Sequence, residues 1–322
     1  MIDYSHIIRT IIISFIISLI LGPIIIPILK KLKAGQSIRE DGPQSHLSKS
    51  GTPTMGGIIF LTALLITVFS SGIVNTDTIV LVAATLGFGL IGFIDDYIKI
   101  IKKRNLGLRA YQKLLGQVIL AIILAVYQSN TSEVGTKVII PFLKSQYLDL
   151  GLLYIPFIVF VVVGTVNSVN LTDGLDGLAS GVSIIVLSFF SLIALTNGAD
   201  SISIFAASLT GACLGFLIHN AYPAKVFMGD TGSLALGGAI SAIAILLNMT
   251  LFLPIVGGIF FIETLSVIIQ VASFKMTGKR VFLMSPLHHH YEQKGWKETK
   301  IVGIFWLITA ILCLIGVISL NI

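Results

Sequence analysis

The chain has 322 residues, of which 55% are hydrophobic and only 11% are charged, and its mean hydropathy is +0.98. A typical soluble domain carries about 25% charged residues, so a soluble globular protein is excluded and a polytopic membrane protein is indicated. The formal net charge of +6 does not indicate a nucleic-acid partner, because the basic residues are confined to a few connections. Cys213 and Cys313 fall in apolar stretches, which argues against a disulfide framework and a cysteine-based zinc site.

Apolar stretches long enough to cross a bilayer recur along the chain and predict ten transmembrane helices. The first has no small-residue cleavage site and is longer than a signal-peptide core, so we expect it to be retained. The eighth and ninth are divided at residues 248–254, where Asn, Thr and Pro cluster. The predicted spans are 7–29, 55–72, 78–94, 113–128, 150–169, 178–197, 201–219, 233–250, 253–273 and 301–320. The sequence therefore predicts an all-α, polytopic membrane bundle that forms one domain over residues 1–322.

The basic residues test this division, because cytoplasmic loops of membrane proteins are enriched in Lys and Arg. Alternate connections, beginning with residues 30–54 and counting Lys113 with its loop, contain 18 of the 21 lysines and arginines. We therefore assign these loops to the cytoplasm and both termini to the outer side. Residues 128–149 form the long connection on the outer side, and their β-branched part predicts a small hairpin.

Five aspartates fall in three of the cytoplasmic loops. Asp95 and Asp96 end the third span, Asp173 and Asp176 lie between the fifth and sixth, and Asp230 precedes the eighth. Carboxylates at a membrane edge are costly unless they are solvated, paired or bound to a cation, and a helical bundle can gather three loops at one face. Mg²⁺ typically takes only one or two protein carboxylates, so the other acids would bind substrate or move protons. Taken singly, each loop is also compatible with a polar turn or a solvated helix end.

Other features of these loops favour an anionic ligand. The glycine-containing segment Gly229–Ser233 leads into the eighth span, so its backbone N–H groups would lie at a helix N-terminus and could bind phosphate. An ordinary N-cap by Thr231 or Ser233 is compatible with that role. Lys49 and Lys113 could neutralise phosphate oxygens, although most basic residues here follow simply from the charge bias.

A histidine triplet, His288–His290, lies in the last cytoplasmic loop within Pro286–Glu292. Successive residues of a helix point about 100° apart, and the usual zinc spacings are absent from the sequence, so the triplet is not expected to bind one zinc ion. The histidines could donate to phosphate or pack at an interface. Glu263, inside the ninth span, is expected to be functional or to break that helix, since a carboxylate is costly in lipid. Gln270 follows seven residues later, near the same helical face.

Together these motifs resemble the polyprenyl-phosphate N-acetylhexosamine-1-phosphate transferases, and the likeness runs nearly end to end. The segments that carry it are Ser50–Gly57, the Asp95–Asp96 pair, Asn167–Leu178, Phe227–Ser233 and Pro286–Glu292. The last of them is similar to the phospho-N-acetylmuramoyl-pentapeptide transferase branch rather than to the GlcNAc-1-phosphate branch.

The resemblance implies a ten-helix, usually dimeric enzyme of the bacterial cytoplasmic membrane whose active site faces the cytoplasm. It implies a Mg²⁺-dependent reaction in which undecaprenyl phosphate attacks UDP-MurNAc-pentapeptide. UMP leaves, and undecaprenyl-pyrophosphoryl-MurNAc-pentapeptide (lipid I), a precursor of peptidoglycan, stays in the membrane. A soluble nucleotide meeting a lipid phosphate agrees with carboxylates and phosphate-binding groups at one membrane edge.

On this basis Asp230, with Asp96, would hold Mg²⁺, and Asp95 would deprotonate or orient the lipid phosphate. Lys113 and a histidine would stabilise phosphate charge as it develops, while direct and two-step transfer remain equally compatible with the sequence. The residues expected to carry the chemistry are Asp95, Asp96, Lys113, Asp230, His288 and His289. Those expected to bind substrate are Lys49, Thr54, Asn170, Asp173, Asp176, Asn220, Phe227, Gln270 and His290.

Two other functions fit parts of the pattern. A GlcNAc-1-phosphate transferase would share the aspartate loops, and the histidine loop is the argument against it. A cation-coupled transporter would also use membrane acids, but transport sites usually lie at mid-span and often between internal repeats. These acids lie at one face, and no repeat is visible in the sequence.

Overall fold

The computed structural model describes residues 3–32, 49, 51–102, 106–143 and 146–321. Ser50, which opens one predicted motif, lies outside the described residues, as does most of the first basic loop. The helices are α1 Tyr4–Lys31, α2 Gly57–Ser70, α3 Thr76–Lys102, α4 Ala110–Thr131, α5 Tyr154–Thr172, α6 Leu178–Thr196, α7 Asp200–Asn220, α8 Gly229–Leu246, α9 Leu253–Val256, α10 Gly258–Thr277, α11 Leu287–Gln293 and α12 Glu298–Asn321. The strands are β1 Lys137–Ile139 and β2 Tyr147–Asp149.

The helices confirm the prediction of a polytopic membrane bundle. In the part of the chain that the structure describes, nine helices are long and apolar enough to cross a membrane, and α2 is a shorter apolar helix of 14 residues. Each corresponds to one of the predicted spans. The strands β1 and β2 pair antiparallel, so the connection between α4 and α5 contains the small hairpin that was expected.

The largest difference from the predicted spans is at the end of α3, which continues to Lys102, eight residues beyond the predicted end at 94. Two other differences are at the starts of helices. α4 has 22 residues and begins before the apolar run, because the Gln112 side chain accepts a hydrogen bond from the backbone N–H of Arg109 at 2.9 Å. This interaction caps the helix in a polar segment. The ninth span is divided into α9 and α10, which meet at Gly257.

The centre of the bundle is formed by α7 and α8. In the most apolar window of each, 83% of the residues are buried, whereas only 22% are buried in α1 and α4. The outer helices expose rows of large apolar side chains such as Ile8, Ile12, Ile16 and Ile20 of α1. Apolar side chains that face lipid carry no hydrophobic cost, so we infer that the outer helices form the lipid-facing layer.

A proline in α1 is compensated by a histidine from α7. Pro23 has no N–H, so the carbonyl of Leu19 loses its helical partner. His219 Nε2 lies 3.3 Å from that carbonyl oxygen and must donate to it, since a carbonyl only accepts. Gly22 leaves the space for the imidazole, because a Cβ atom there would collide with the ring. The interaction fixes α1 against α7 at His219, which immediately precedes Asn220 in the chain.

Backbone contacts at glycines hold the start of α8 against α2 and α3. A Cβ atom on Gly92 would collide with the carbonyl oxygen of Asp230, and one on Gly57 would collide with the backbone of Gly232. These close approaches require residues without side chains. They bring the last turns of α3 beside the first turn of α8, where the predicted aspartates lie.

Candidate active site

The carboxylates of Asp95, Asp96 and Asp230 meet as the sequence predicted. One oxygen of each lies within 4.8 Å of the others. Asp95 and Asp96, from the last turns of α3, are each 2% exposed, and Asp230, from the first turn of α8, is half-buried. We call this set the aspartate cluster. Carboxylates this close repel each other unless cations lie among them.

Two lysines supply positive charge to the aspartate cluster. Lys99, one helical turn after Asp95, places Nζ 2.6 Å from Asp95 Oδ2 and 3.0 Å from Asp230 Oδ2. Lys113, from the first turn of α4, places Nζ 2.7 Å from the same Asp230 oxygen. With all groups ionised, three carboxylates and two ammonium groups leave one negative charge in excess, so the cluster can still attract a cation.

Asp96 caps the start of α8. Its Oδ2 accepts hydrogen bonds from the backbone N–H of Thr231 at 2.9 Å and from the Thr231 hydroxyl at 2.7 Å. Its Oδ1 accepts a longer one, 3.3 Å, from the N–H of Asp230. A carboxylate is stabilised at a helix N-terminus by the unpaired N–H groups there. These two N–H groups of Gly229–Ser233 therefore hold the Asp96 carboxylate and are not free for phosphate, contrary to the expectation from the sequence.

Asn170, near the end of α5, orients Asp230 from the opposite side. Its Nδ2 donates to Asp230 Oδ1 at 2.9 Å and to Ser233 Oγ at 2.8 Å. One turn earlier, Asn167 donates to Gln117 Oε1 of α4 at 2.7 Å, and the Gln117 amide lies 3.5 Å from the Asn167 oxygen. Buried amide pairs satisfy each other without adding charge. This pair keeps α4 and α5 together beneath the aspartate cluster.

Asp173 lies in the turn after α5 and is half-buried. Burial, followed by the negative charges of Asp230, Asp96 and Asp176, raises the pKa of Asp173 well above its ordinary value. The charges of these acids reach Asp173 because the loops share one face. Asp173 consequently keeps its proton to higher pH than an ordinary aspartate, and in that form it can donate a hydrogen bond.

A second cluster, the Lys49 cluster, consists of Lys49, Asp176 and Glu298. Lys49 Nζ lies 2.7 Å from Asp176 Oδ1 and 2.7 Å from Glu298 Oε1. Asp176 Oδ2 accepts a further hydrogen bond from the backbone N–H of Ala224 at 2.9 Å. Burial opposes the charge on Lys49, but hydrogen bonds to the two carboxylates outweigh it and raise the pKa of Lys49. The lysine is therefore held as an ammonium ion.

Thr54 and Phe227 lie where two loops pair. The N–H of Phe227 donates to the Pro53 carbonyl at 2.8 Å, and the N–H of Gly56 donates to the Phe227 carbonyl at 2.8 Å. Thr54 is 9% exposed, and its hydroxyl lies so close to Gly229 that a Cβ atom there would contact it. The segment after Lys49 is thereby joined to the loop that carries Asp230.

Asn220 and Gln270 use their amides within the protein. The Asn220 amide donates to the Val226 carbonyl at 3.0 Å and accepts from the Ser180 hydroxyl at 2.7 Å. Gln270 donates to the Phe282 carbonyl at 3.0 Å and accepts from the Phe282 N–H at 2.9 Å. Both residues shape loops around the site, and neither amide is directed into the aspartate cluster.

The three histidines of α11 have three different partners. His288 is buried, and His289 Nδ1 donates to Glu292 Oε2 at 2.7 Å. His290 Nδ1 accepts from the N–H of Leu283 at 3.1 Å. Each of the three imidazole rings is thus held by a different group of the protein.

Glu263 is fully buried, and α10 continues through it, so of the two alternatives expected for this residue the helix break is wrong. Its partner is His288, whose backbone N–H lies 3.1 Å from Oε1 and whose Nδ1 lies 3.0 Å from Oε2. Because a carboxylate only accepts, Nδ1 carries a proton and Nε2 remains for another partner. In the described residues Nε2 makes no hydrogen bond, and it lies against Gly174, beside Asp173.

Sequence reasoning missed Lys99, Glu298 and the Asn167–Gln117 pair. Lys99 could have been found, since residues four apart on a helix lie on one face and Lys99 follows Asp95 by four. Glu298 gave no signal, because it stands at the start of the last span among exposed lysines. Only the packing of α12 against α6 brings it to Asp176.

Comparison with known proteins identifies the family of the chain. The model of Glycosyl transferase family 4 matches residues 78–248, and the Phospho-N-acetylmuramoyl-pentapeptide-transferase signature 1 matches residues 49–61. The phospho-N-acetylmuramoyl-pentapeptide-transferase of Alkaliphilus oremlandii (strain OhILAs) is 63% identical over 100% of both chains. That of Alkaliphilus metalliredigens (strain QYMF) is 62% identical with the same coverage, and that of Clostridium botulinum (strain Alaska E43 / Type E3) is 55% identical over 98% of this chain and 96% of its own. The chain therefore belongs to Glycosyl transferase family 4 and, within it, to the phospho-N-acetylmuramoyl-pentapeptide-transferases.

Proposed function

We propose that the chain transfers phospho-MurNAc-pentapeptide from UDP-MurNAc-pentapeptide to undecaprenyl phosphate, which yields lipid I and UMP for peptidoglycan synthesis. The name shared by relatives that match it end to end supports this reaction. The observation that carries the proposal is the meeting of three carboxylates and two lysines at one end of an apolar helical bundle. A soluble nucleotide and a lipid-held phosphate can both reach such a position.

The same proposal includes the placement of the enzyme. The excess of basic residues in the loops that carry the site supports a cytoplasmic active site in the inner membrane of a bacterium, with both termini outside. We propose that residues 1–322 act as one domain and that the enzyme is a homodimer, as the resemblance implies.

The aspartate cluster suits Mg²⁺, a hard cation that takes carboxylate oxygens. Asp230 Oδ2 already contacts the ammonium groups of Lys99, at 3.0 Å, and Lys113, at 2.7 Å. Within the described part of the chain, the contacts of Asp96 Oδ1 are the longer ones of 3.3 Å to the Asp230 N–H and 3.6 Å to Lys99, so this oxygen keeps acceptor capacity. Asp230 and Asp96 would hold the ion, which when bound offsets negative charge on the pyrophosphate.

In the transfer step an oxygen of undecaprenyl phosphate attacks the phosphorus that carries the sugar, and the bond from that phosphorus to the UMP oxygen breaks. Asp95 orients the acceptor phosphate or takes its proton. Lys99 and Lys113 contact one oxygen of Asp230 and are placed to balance negative charge as it moves to UMP. His288 directs Nε2 toward the loop that contains Asp173 and is the histidine to which we assign phosphate contact.

The Lys49 cluster is proposed as part of the nucleotide pocket. Lys49 is an ammonium ion with three N–H donors, two of which bind the carboxylates of Asp176 and Glu298. Asp176 is an acceptor, and Asp173 can donate when protonated. Thr54 and Phe227 lie on the paired segments that connect this cluster to Asp230. The nucleotide would then extend from the Lys49 cluster toward the aspartate cluster.

Purified full-length protein in detergent, given undecaprenyl phosphate and Mg²⁺, is expected to release UMP from UDP-MurNAc-pentapeptide and not from UDP-GlcNAc. Release is measured by a coupled UMP assay, and the lipid product by mass spectrometry. The charged clusters would recognise the UDP part that both nucleotides share. The expected discrimination rests on the histidine loop, which resembles that of the muramoyl branch.

The control omits the lipid phosphate, since hydrolysis alone would also release UMP. Release only from UDP-GlcNAc would keep the phosphotransferase chemistry and overturn the muramoyl assignment. Absence of release from both nucleotides by folded protein would overturn the proposed reaction.

Glu263→Gln is expected to lower kcat by about 10²-fold with little change in KM, because the histidine then loses its carboxylate partner and its fixed tautomer. Glutamine still accepts from the His288 N–H but offers Nδ1 no second acceptor oxygen. The measurement is steady-state UMP release at saturating concentrations of both substrates.

Ser266→Ala is the matched control for Glu263→Gln. Ser266 lies on α10 close to Glu263, is also buried, and bonds only to the Glu263 carbonyl among the described contacts, at 2.6 Å. Its kcat should stay near that of the parent. Equal losses in the two variants would show that buried polarity in α10, rather than the orientation of His288, supports turnover.

A further inference from the structure

The first residue of α12 reaches the proposed nucleotide pocket from the far end of the chain. Glu298 Oε1 accepts from Lys49 Nζ at 2.7 Å and from the backbone N–H of Asp176 at 2.6 Å. These contacts span 249 and 122 residues of sequence respectively. The Glu298 side chain is only 10% exposed, so it is part of the packed structure and not a solvated surface charge.

One carboxylate oxygen of Glu298 thus fixes two groups at once. It holds the Lys49 ammonium, and it holds the backbone of Asp176, whose own carboxylate accepts from the same lysine at 2.7 Å. Asp176 is further restrained by the Ala224 N–H at 2.9 Å. Lys49 therefore cannot move without breaking contacts to two carboxylates, and Asp176 cannot turn without losing its backbone partner.

Neutralisation of the Lys49 charge does not by itself explain why Glu298 is present in this cluster. Asp176 alone would balance the single positive charge of Lys49, so Glu298 adds a carboxylate that charge balance does not require. A partly buried extra charge is costly unless its hydrogen bonds repay the lost hydration. Glu298 receives two short, charge-assisted or backbone hydrogen bonds, and it stands at the start of a helix, where a negative charge is favourable.

We propose that Glu298 is a positioning residue for the nucleotide substrate, acting through Lys49 and Asp176. The inference rests on the proposed function, since it takes these two residues as part of the nucleotide pocket. Glu298 holds them in the binding geometry before substrate arrives, so that less ordering remains when the nucleotide binds. It is not assigned any contact with the reacting phosphates, which belong to the aspartate cluster.

The test compares Glu298→Ala, Glu298→Gln and the parent as full-length protein in detergent. Glu298→Ala is expected to raise KM for UDP-MurNAc-pentapeptide by about 10- to 100-fold, the usual effect of losing hydrogen bonds to charged groups. kcat and KM for undecaprenyl phosphate should stay within about threefold of the parent, because the lost interaction stabilises the bound nucleotide equally in the ground state and in the transition state. Glu298→Gln keeps an acceptor oxygen for both donors and should recover most of the loss.

A double-variant cycle separates positioning from general structural support. Lys49→Met alone should raise KM for the nucleotide. Adding Glu298→Ala to Lys49→Met should raise KM by a much smaller factor than Glu298→Ala does in the parent, because part of the effect of Glu298 passes through Lys49. Glu133→Ala, which removes an exposed carboxylate between α4 and β1, is the control and should leave all constants unchanged. UMP binding, measured by titration, should weaken in parallel with KM.

The outcomes are distinguishable. If Lys49→Met raises KM for the nucleotide and Glu298→Ala does not, the positioning role is wrong and the pocket stands. If Lys49→Met leaves KM and UMP binding unchanged, the proposed pocket is wrong and the role of Glu298 falls with it. If Glu298→Ala does not fold, Glu298→Gln decides: a small, selective rise in KM for the nucleotide, below that of Lys49→Met, supports positioning, whereas unchanged constants or a fall in kcat alone contradict it.

Discussion

Asp95→Asn is expected to reduce kcat by about 10³-fold or more, while Kd for UDP-MurNAc-pentapeptide stays within about twofold of the parent. Asparagine has nearly the same shape, so it can keep the hydrogen bond that Asp95 Oδ1 accepts from the Leu108 N–H at 2.8 Å. It cannot take a proton, and it loses the ionic contact with Lys99. Single-turnover UMP release measures the chemical step, and equilibrium titration measures nucleotide binding.

Asp77→Asn provides the matched control on the same helix. Asp77 lies in the first turn of α3, and its carboxylate accepts from the Tyr127 hydroxyl at 3.2 Å. The change removes the same charge from the opposite end of α3, so turnover should remain close to that of the parent. Normal turnover of Asp95→Asn would overturn the assignment of Asp95 to the acceptor phosphate.

Asp230→Ala is expected to lower activity by about 10³-fold and to raise the Mg²⁺ concentration for half-maximal activity by about 10-fold or more. Asp230 is the residue on which Lys99, Lys113 and Asn170 all converge. Its removal takes away a proposed metal ligand and leaves both ammonium groups without their shared acceptor. The measurements are Mg²⁺ titrations of UMP release and, independently of turnover, Mn²⁺ binding followed by electron paramagnetic resonance.

The control for Asp230→Ala is Asp200→Ala, because Asp200 stands in the first turn of α7 as Asp230 stands in the first turn of α8. Both changes remove a negative charge from a helix N-terminus, so a general effect on helix stability would appear in both. An unchanged metal titration in Asp230→Ala would contradict its role in holding the ion.

The membrane bundle could be predicted from hydropathy because lipid requires continuous apolar helices of a nearly fixed length. The ends of helices were less predictable, since they depend on local hydrogen bonds. α4 begins in a polar segment because Gln112 caps it, and α10 begins after Gly257 although the apolar run starts earlier. Hydropathy contains no information on either interaction.

The site was partly predictable for a different reason. Acids near glycines in short loops stand out in an apolar chain, so Asp95, Asp96 and Asp230 could be found without coordinates. The hydrogen-bond partners of each carboxylate oxygen could not be predicted. Asp96 caps α8, so the backbone N–H groups of Gly229–Ser233 that were expected to bind phosphate bind this carboxylate instead. The partner of Glu263 was equally unpredictable, because His288 lies 25 residues away in a separate helix.

The contact between Lys49 and Glu298 also bears on how the protein is made. The two residues are 249 positions apart, and at about 5–20 residues per second the ribosome needs roughly 12–50 s to synthesise that interval. Lys49 lacks the Glu298 carboxylate throughout this time, and Asp176, which is made 122 residues before Glu298, lacks it for the second half. The proposed nucleotide pocket can therefore be completed only after the start of α12 has been synthesised.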